Sequence, residues 1–177
     1  MPRGAPQRAR GGVAAIAARI AAALLAAALA PASACELLVT EHRSGRELLR
    51  VPFAAAAPGD APQLRLSFIH SVLGTPVHDR YRWEIGHGGR WLLVEEQFEG
   101  EGYGLPYAAA AGETLERHGS GWRLLLARPV EPLVVRPLPT QRMRLTLADG
   151  RSWLLADLAT QALLLRAAGC ALPAEEK

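Results

Sequence analysis

Short stretches in which polar and apolar residues alternate dominate this chain and limit the folds that are open to it. Between residues 63 and 70, every second residue from Leu64 to His70 lies on one face, and Val77 to Ile85 alternates in the same way. A period of two places successive side chains on opposite faces of a β-strand. Similar segments lie at 36–41, 46–53, 91–98, 122–127, 133–136, 143–147 and 152–155. The pattern predicts an all-β domain, a single antiparallel β-sandwich or small barrel of about 8–10 strands.

Two segments depart from the alternation. Residues 99–112 contain four glycines and one proline, which indicates a long irregular loop. Residues 158–167 are mostly Ala and Leu, which are strong helix formers, so a short helix is expected there.

The N-terminal segment has the three parts of an export signal. Arg3, Arg8 and Arg10 form a basic region, residues 20–30 are uninterrupted Ile, Ala and Leu, and Ala32-Ser33-Ala34 fits a cleavage site. The apolar run is shorter than the roughly 20 residues that a membrane span needs. We therefore expect a signal peptide at 1–34, a β-domain at 35–170 and a polar tail at 171–177, in a protein exported to the periplasm.

The basic charge of the whole chain belongs to this signal. The chain has 20 Lys and Arg against 17 Asp and Glu, and residues 1–34 hold four of the arginines and no acid. The rest of the chain therefore has 16 basic and 17 acidic side chains, a net charge of −1. Because no basic surface remains after cleavage, nucleic acid is not an expected partner.

Two cysteines, Cys35 and Cys170, lie near opposite ends of the predicted domain. Export to an oxidising compartment permits a disulfide between them. Alternatively, residues 32–35 loosely resemble a bacterial lipoprotein box, in which Cys35 would carry a lipid anchor, or both thiols are free. The disulfide and the lipid exclude each other because both use the sulfur of Cys35.

The candidate site lies between residues 67 and 106. His70 and Ser71 are adjacent, so on a strand they point to opposite faces, and no nucleophile-elbow motif surrounds Ser71, which argues against serine hydrolysis. His70 ends an apolar face, as a hydrogen-bonded core residue or as a ligand group at the rim. Asp79 lies on an apolar face, where a carboxylate must be paired or exposed. A hairpin between the two strands would let Asp79 meet His70.

Glu95 and Glu96 point to opposite faces of the next strand, and an inward glutamate would complete a polar cluster with His70 and Asp79. Two carboxylates and an imidazole can bind a divalent metal. The spacing matches no sharp metal motif, so no metal or other cofactor is expected. The turn at 102–106, which contains two glycines, has room for its backbone to approach a ligand or a partner chain. The predicted binding residues are His70, Ser71, Asp79, Glu95, Gly102, Gly104, Leu105 and Pro106.

These motifs resemble the bacterial domain-of-unknown-function family 1850. The family is marked by His-Ser-Val, then Pro-Val-x-Glu with an aromatic, then Glu-Thr-x-Phe and a turn that ends in Gly-Leu-Pro. The chain has corresponding residues at 70–72, at 76–81, at 95–98 and at 100–106, and its strands around Arg144 and Trp153 also look like those of the family. It departs from the pattern at five positions, with Asp79 for Glu, Glu96 for Thr, Gly100 for Ser, Glu101 for an aromatic and Tyr103 for Ala. The turn is therefore more acidic and bulkier.

The resemblance carries no assigned enzymatic activity. Members of the family are often encoded beside TRAP transporters of the TAXI type, which take up small carboxylates with a periplasmic receptor. The resemblance thus implies a non-enzymatic accessory or binding protein, whose partner is the transporter membrane subunit, its receptor or a small carboxylate solute. Two alternatives remain open, a metal-dependent or acid–base enzyme that uses His70, Asp79 and Glu95, and a structural envelope protein.

Overall fold

The computed structural model describes Met1 and residues 35–57, 59–85 and 88–170. The predicted signal peptide beyond Met1 and the predicted polar tail lie outside these residues. Within them, no helix is long and apolar enough to cross a membrane.

The described residues form two antiparallel β-sheets. The strands are β1 (Glu36–Glu41), β2 (Glu47–Pro52), β3 (Gln63–Ile69), β4 (Pro76–Glu84), β5 (Arg90–Phe98), β6 (Thr114–His118), β7 (Gly121–Val130), β8 (Leu133–Val135), β9 (Arg144–Leu147), β10 (Ser152–Leu154) and β11 (Leu163–Ala168). The smaller sheet has the order β2-β1-β11-β8, and the larger sheet has the order β10-β9-β3-β4-β5-β7-β6. In the described part of the chain the sheets do not close into a barrel, so the prediction of an all-β sandwich is confirmed.

The hairpin of β3 and β4 follows from the alternation in the sequence. Leu66 lies opposite Asp79, and Ile69 lies opposite Pro76. Leu64 and Leu66 are buried while Arg65 between them is exposed, as a period of two requires. Apolar side chains of β3, β4 and β5 therefore share the face that packs towards the core.

The core between the sheets is organised around Trp91 of β5. Its indole N–H donates a hydrogen bond to the carbonyl of Leu165 in β11, with a distance of 3.0 Å, and so joins the larger sheet to the smaller one. The Trp83 ring stands edge-on to Trp91, with 4.9 Å between ring centroids. Phe53 follows β2 directly, and the centroid of its ring lies 5.7 Å from that of Trp91. Aromatic pairs in this geometry stabilise a core beyond the area that they bury.

Two parts of the secondary structure differ from the prediction. The expected helix at 158–167 is wrong, because the helix there is a single turn at Leu155–Leu158, followed by strand β11. β11 lies between β1 and β8, and pairing on both sides outweighs the helix propensity of Ala and Leu. Strand β6 was not predicted, because its residues, Thr-Leu-Glu-Arg-His, have one apolar side chain.

A disulfide joins Cys35 and Cys170 across a sequence separation of 135 residues. Glu36 pairs with Ala168 at the ends of β1 and β11, so the cysteines just beyond them lie side by side. Of the three states left open by the sequence, the structure has the disulfide. Its Cys35 sulfur is not available to a lipid.

Replacing Trp91 by Phe should lower the free energy of unfolding by about 2–3 kcal/mol. The change leaves the Leu165 carbonyl without its donor and leaves space around a smaller ring. Urea denaturation measures the loss. Trp153→Phe is the matched control, since among the described residues the Trp153 indole has no hydrogen-bond partner, and equal losses in the two variants would contradict the assigned role of Trp91.

Replacing Cys35 and Cys170 by Ser should lower the free energy of unfolding by about 3–5 kcal/mol, because a long closed loop restricts the unfolded chain. Denaturation of the wild-type protein with and without reductant measures the same difference. The intact mass of protein from its own envelope should be that of a chain without the signal, lower by two hydrogen atoms. A heavier, lipid-bearing Cys35 would refute the disulfide.

Candidate functional site

The first predicted site segment, the turn after β3, lies against the loop that follows β5. The Thr75 hydroxyl donates a hydrogen bond to the Glu99 carbonyl, at 2.9 Å. A Cβ atom at Gly100 would lie only 2.9 Å from a methyl group of Leu73, so the backbone of the loop approaches this side chain closely. The structure therefore brings the turn at residues 70–75 into contact with Glu99 and Gly100, where the loop leaves one end of the larger sheet.

His70 holds its own turn together. Its ring Nδ1 accepts hydrogen bonds from the backbone N–H groups of Val72 and Leu73, at 3.3 and 3.2 Å. Its backbone N–H donates to the Thr75 carbonyl, and its carbonyl accepts from Gly74. Because Nδ1 acts as an acceptor, the neutral ring carries its proton on Nε2. His70 is thus a hydrogen-bonded turn residue, while Ser71 beside it is exposed.

The expected meeting of His70 and Asp79 does not occur. In the hairpin His70 bonds to Thr75, whereas Asp79 lies opposite Leu66. A separation of four residue positions places them about 13 Å apart along the strands. The two side chains therefore lie too far apart to bond.

The structure places Glu95 on the opposite face from Asp79, so the prediction that it joins Asp79 is wrong. A β-bulge between Leu93 and Glu95 adds one residue to β5, so Arg80 pairs with Glu95 and Tyr81 pairs with Leu93. The bulge reverses the alternation that Trp91 and Leu93 set up. On the outer face Glu95 bonds to the Arg80 guanidinium at 2.6 Å and accepts a hydrogen bond from Gln97.

Glu96 takes the inward position instead. Glu96 lies directly opposite Asp79, and the neighbouring inward pairs of β4 and β5 are Val77 with Phe98 and Tyr81 with Leu93. The Tyr81 hydroxyl donates a long hydrogen bond of 3.4 Å to Asp79 Oδ2. The other oxygen, Oδ1, is buried and has no hydrogen-bond partner among the described residues. This carboxyl pair, Asp79 and Glu96, is the most unusual polar feature of the described domain, because buried polar atoms are ordinarily satisfied.

The electrostatics of the carboxyl pair follow from burial and like charge. Burial, and after it the charge of Glu96, raises the pKa of Asp79 to about 7, although the bond from Tyr81 opposes the shift. Burial also raises the pKa of Glu96, an effect that the charge of Arg128 partly offsets. Arg128 itself is bonded to Glu113 at 2.6 Å. The two carboxyl groups face each other, and among the described residues neither forms a salt bridge with a basic side chain.

The residues of the metal or acid–base alternative do not form one site. His70, Asp79 and Glu95 lie respectively in a turn, on the inner face and on the outer face of the sheet. Within residues 35–57, 59–85 and 88–170, no three His, Cys, Asp or Glu side chains are arranged to hold a metal ion. The enzyme alternative therefore lacks the constellation on which it was based.

The turn at Gly102–Pro106 exposes the side chain of Tyr103 and buries that of Leu105. Gly102, Tyr103 and Gly104 have φ of 81°, 54° and 95°, a left-handed stretch that is strained for a tyrosine. Leu105, whose N–H bonds to the Gly102 carbonyl, is buried in the core, while the half-buried Pro106 follows it. Anchored by Leu105, the turn leaves Tyr103 71% exposed. The prediction named the two glycines but not the tyrosine between them.

A cavity of about 270 Å³ opens at the other end of strands β4 and β5. Trp83, Trp91 and Leu165 are among the residues that line it. None of the predicted site residues lines this cavity.

Replacing His70 by Ala should lower the free energy of unfolding by about 1–2 kcal/mol, because two turn N–H groups lose their acceptor. His70→Asn should recover most of the loss, since the asparagine oxygen occupies a position close to that of Nδ1. Thermal denaturation of the two variants makes the comparison. Equal destabilisation by Ala and Asn would show that the ring acts through packing or through Nε2 instead.

Comparison with protein-family models finds a match for part of the chain. The model of the family described as "Domain of unknown function (DUF1850)" matches residues 64–154. No curated protein and no solved structure matches the chain. The matched region runs from β3 to β10 and contains the His70 turn, the carboxyl pair and the Gly102–Pro106 turn. It covers more than half of the chain, and the chain belongs to this family of domains of unknown function.

Proposed function

We propose that this protein is an exported, non-enzymatic binding domain that acts as an accessory of a TRAP-type solute uptake system of the TAXI class. It acts in the periplasm by contacting the transporter membrane subunit or the periplasmic receptor. The proposal rests on the association of the family with such transporters and on the surface at the loop-bearing end of the larger sheet.

The observation that carries the proposal is a set of exposed apolar and aromatic side chains on the two segments that meet at that end, the turn after β3 and the loop after β5. Val72, Tyr103 and Tyr107 form what we call the loop-end surface, and they are 61%, 71% and 87% exposed. Apart from Met1, the other large apolar side chain with high exposure among the described residues is Leu138, at 39%. Tyrosine is enriched where proteins bind one another, and backbone strain of the kind found at Tyr103 concentrates at functional sites.

The charge around the loop-end surface favours a protein partner over a carboxylate solute. Glu99 and Glu101 lie in the same loop, and the carboxyl pair lies on the strands that lead to it. Like charges repel, so an anionic solute gains nothing from these groups, whereas Arg and Lys at the rim of a protein surface are attracted to them. We therefore place the transporter subunit or the receptor ahead of the solute.

Two features support export. Residues 1–34 have the pattern of a signal peptide, and the Cys35–Cys170 disulfide is of a kind that persists in oxidising compartments. Because the disulfide uses the Cys35 sulfur, the proposal is a soluble periplasmic form rather than one anchored by a lipid at Cys35.

The test is uptake of the transported solute by cells that lack the gene and are complemented with variants. Tyr103→Asn and Tyr107→Asn together should reduce uptake several-fold, as expected when aromatic anchors of an interface are lost. Asparagine tolerates the left-handed conformation at 103, so the free energy of unfolding should change by less than about 1 kcal/mol. Denaturation of the purified double variant checks this.

Leu138→Asn is the matched control, since it removes an exposed apolar side chain from the segment between β8 and β9. It should leave uptake unchanged. Normal uptake in cells that lack the gene would refute the accessory role. If deletion of the gene abolishes uptake and the double tyrosine variant restores it fully, the accessory role stands. The loop-end surface is then not the surface that performs it.

A further inference from the structure

We propose that the carboxyl pair, Asp79 and Glu96, is a proton-binding site, and that the loop-bearing end of the larger sheet becomes less stable as the pH rises through neutrality. The inference concerns the fold itself and is independent of the transporter partner.

The geometry favours one proton between the two groups. Residues that lie directly opposite each other on one face of an antiparallel pair have Cβ atoms about 4.5–5.5 Å apart, and like charges there are destabilising. Asp79 Oδ1 is buried without a donor, and Oδ2 receives only the 3.4 Å bond from Tyr81. A proton on either group would remove one of the two facing charges and would supply a donor where the described residues provide almost none.

The charged and titratable groups around the pair do not replace this proton. Tyr81 of β4 remains protonated, because burial and the charge of Asp79 raise its pKa. From β7, Arg128 lowers the pKa of Glu96, but it is bonded to Glu113, whose charge acts in the opposite direction. From β3, the neighbour of Asp79 is the apolar Leu66. Arg80 and Glu95 lie on the other face and bond to each other.

The sign of the pH effect follows from the direction of the shift. Asp79 has a pKa of about 7 in the folded protein, above the ordinary value of 3.8 that it regains on unfolding. The folded state therefore binds more protons between these values. The resulting stabilisation is complete below about pH 4, decreases as the pH rises and is lost above the folded pKa. For a single group with this shift, the unfolding equilibrium constant should rise roughly ten- to a hundredfold between pH 5 and pH 8.

The strands that carry the pair also lead into the His70 turn and the loop of Tyr103. Two residues beyond Asp79 and Glu96, Val77 lies opposite Phe98 at the end of the hairpin. The next residues lead to the bond between Thr75 and Glu99, which joins the His70 turn to the loop of Tyr103. Repulsion between two ionised carboxylates therefore acts on the strand ends from which the loop-end surface is built.

The test compares urea denaturation at pH 5 and pH 8 in the wild-type protein, Asp79→Asn, Glu96→Gln and the control Glu95→Gln. The control removes the neighbouring carboxylate on the outer face. The wild type and the control should both show the tenfold or greater rise in the unfolding constant. Asp79→Asn should remove most of that rise, and Glu96→Gln should reduce it. A pH dependence in Asp79→Asn equal to that of the control would overturn the proposal.

A second measurement does not depend on the folding of any variant. In ¹³C-labelled wild-type protein, the side-chain carboxyl carbons report protonation directly by NMR. The Asp79 and Glu96 resonances should titrate together, with at least one midpoint above pH 6. Midpoints near pH 4 for both groups would refute a proton-binding site. Hydrogen exchange of the amides at 77–79 and 96–98, corrected for the intrinsic effect of pH, should speed up from pH 6 to pH 8 in the wild type, and unchanged protection would refute the loosening.

Discussion

The hydrogen bond from the Trp91 indole to the Leu165 carbonyl is the contact on which the arrangement of the two sheets depends. It satisfies a polar atom in each sheet inside an apolar core, and the rings of Trp83 and Phe53 pack around it. A bond of this kind specifies position as well as adding stability, because an indole that misses its acceptor leaves two buried groups unpaired. β5 is anchored near its start, and the inward residues towards its other end, including Glu96, lie about 17 Å further along. The carboxyl pair, whose burial would be costly beside the aromatic rings, lies towards this other end of β5.

The strands could be predicted wherever one face of a strand is buried and the other is exposed to solvent. β3 and β4 meet this condition, because Leu64 and Leu66 alternate with polar residues and an Ile69–Pro76 pair closes the hairpin. β11 could not be predicted in this way. Its leucines and alanines suit a helix, and only the presence of β1 and β8 on its two sides makes a strand the better solution. Local propensity is a weak guide for a segment whose backbone bonds are all supplied by distant residues.

The sequence left open whether Glu95 or Glu96 points inward, and the glutamate that was named with Asp79 is not the inward one. Simple alternation from Trp91 places Glu95 inward, and the β-bulge before Glu95 moves Glu96 there instead. The sequence does contain a signal of this irregularity. Trp91 and Phe98 are large apolar residues at an odd spacing, and both can face one core only if the strand has an extra residue between them. His70 was predicted as a partner for Asp79 because a hairpin would bring both close to its corner, but the pairing register places Asp79 opposite Leu66 instead.

The two polar features of this domain differ in how fully the fold satisfies them, and that difference tells which one serves the fold. Every hydrogen bond described for His70 closes its own turn, so its presence is explained by the structure that it stabilises. The carboxyl pair is the reverse case, because it places facing acids on an inner face and leaves Asp79 Oδ1 without a partner in the described residues. A leucine at either position would suit the apolar neighbours better, since replacing buried charged groups by packed apolar ones is often stabilising. The packing of the sheet therefore explains His70 but does not explain the carboxyl pair.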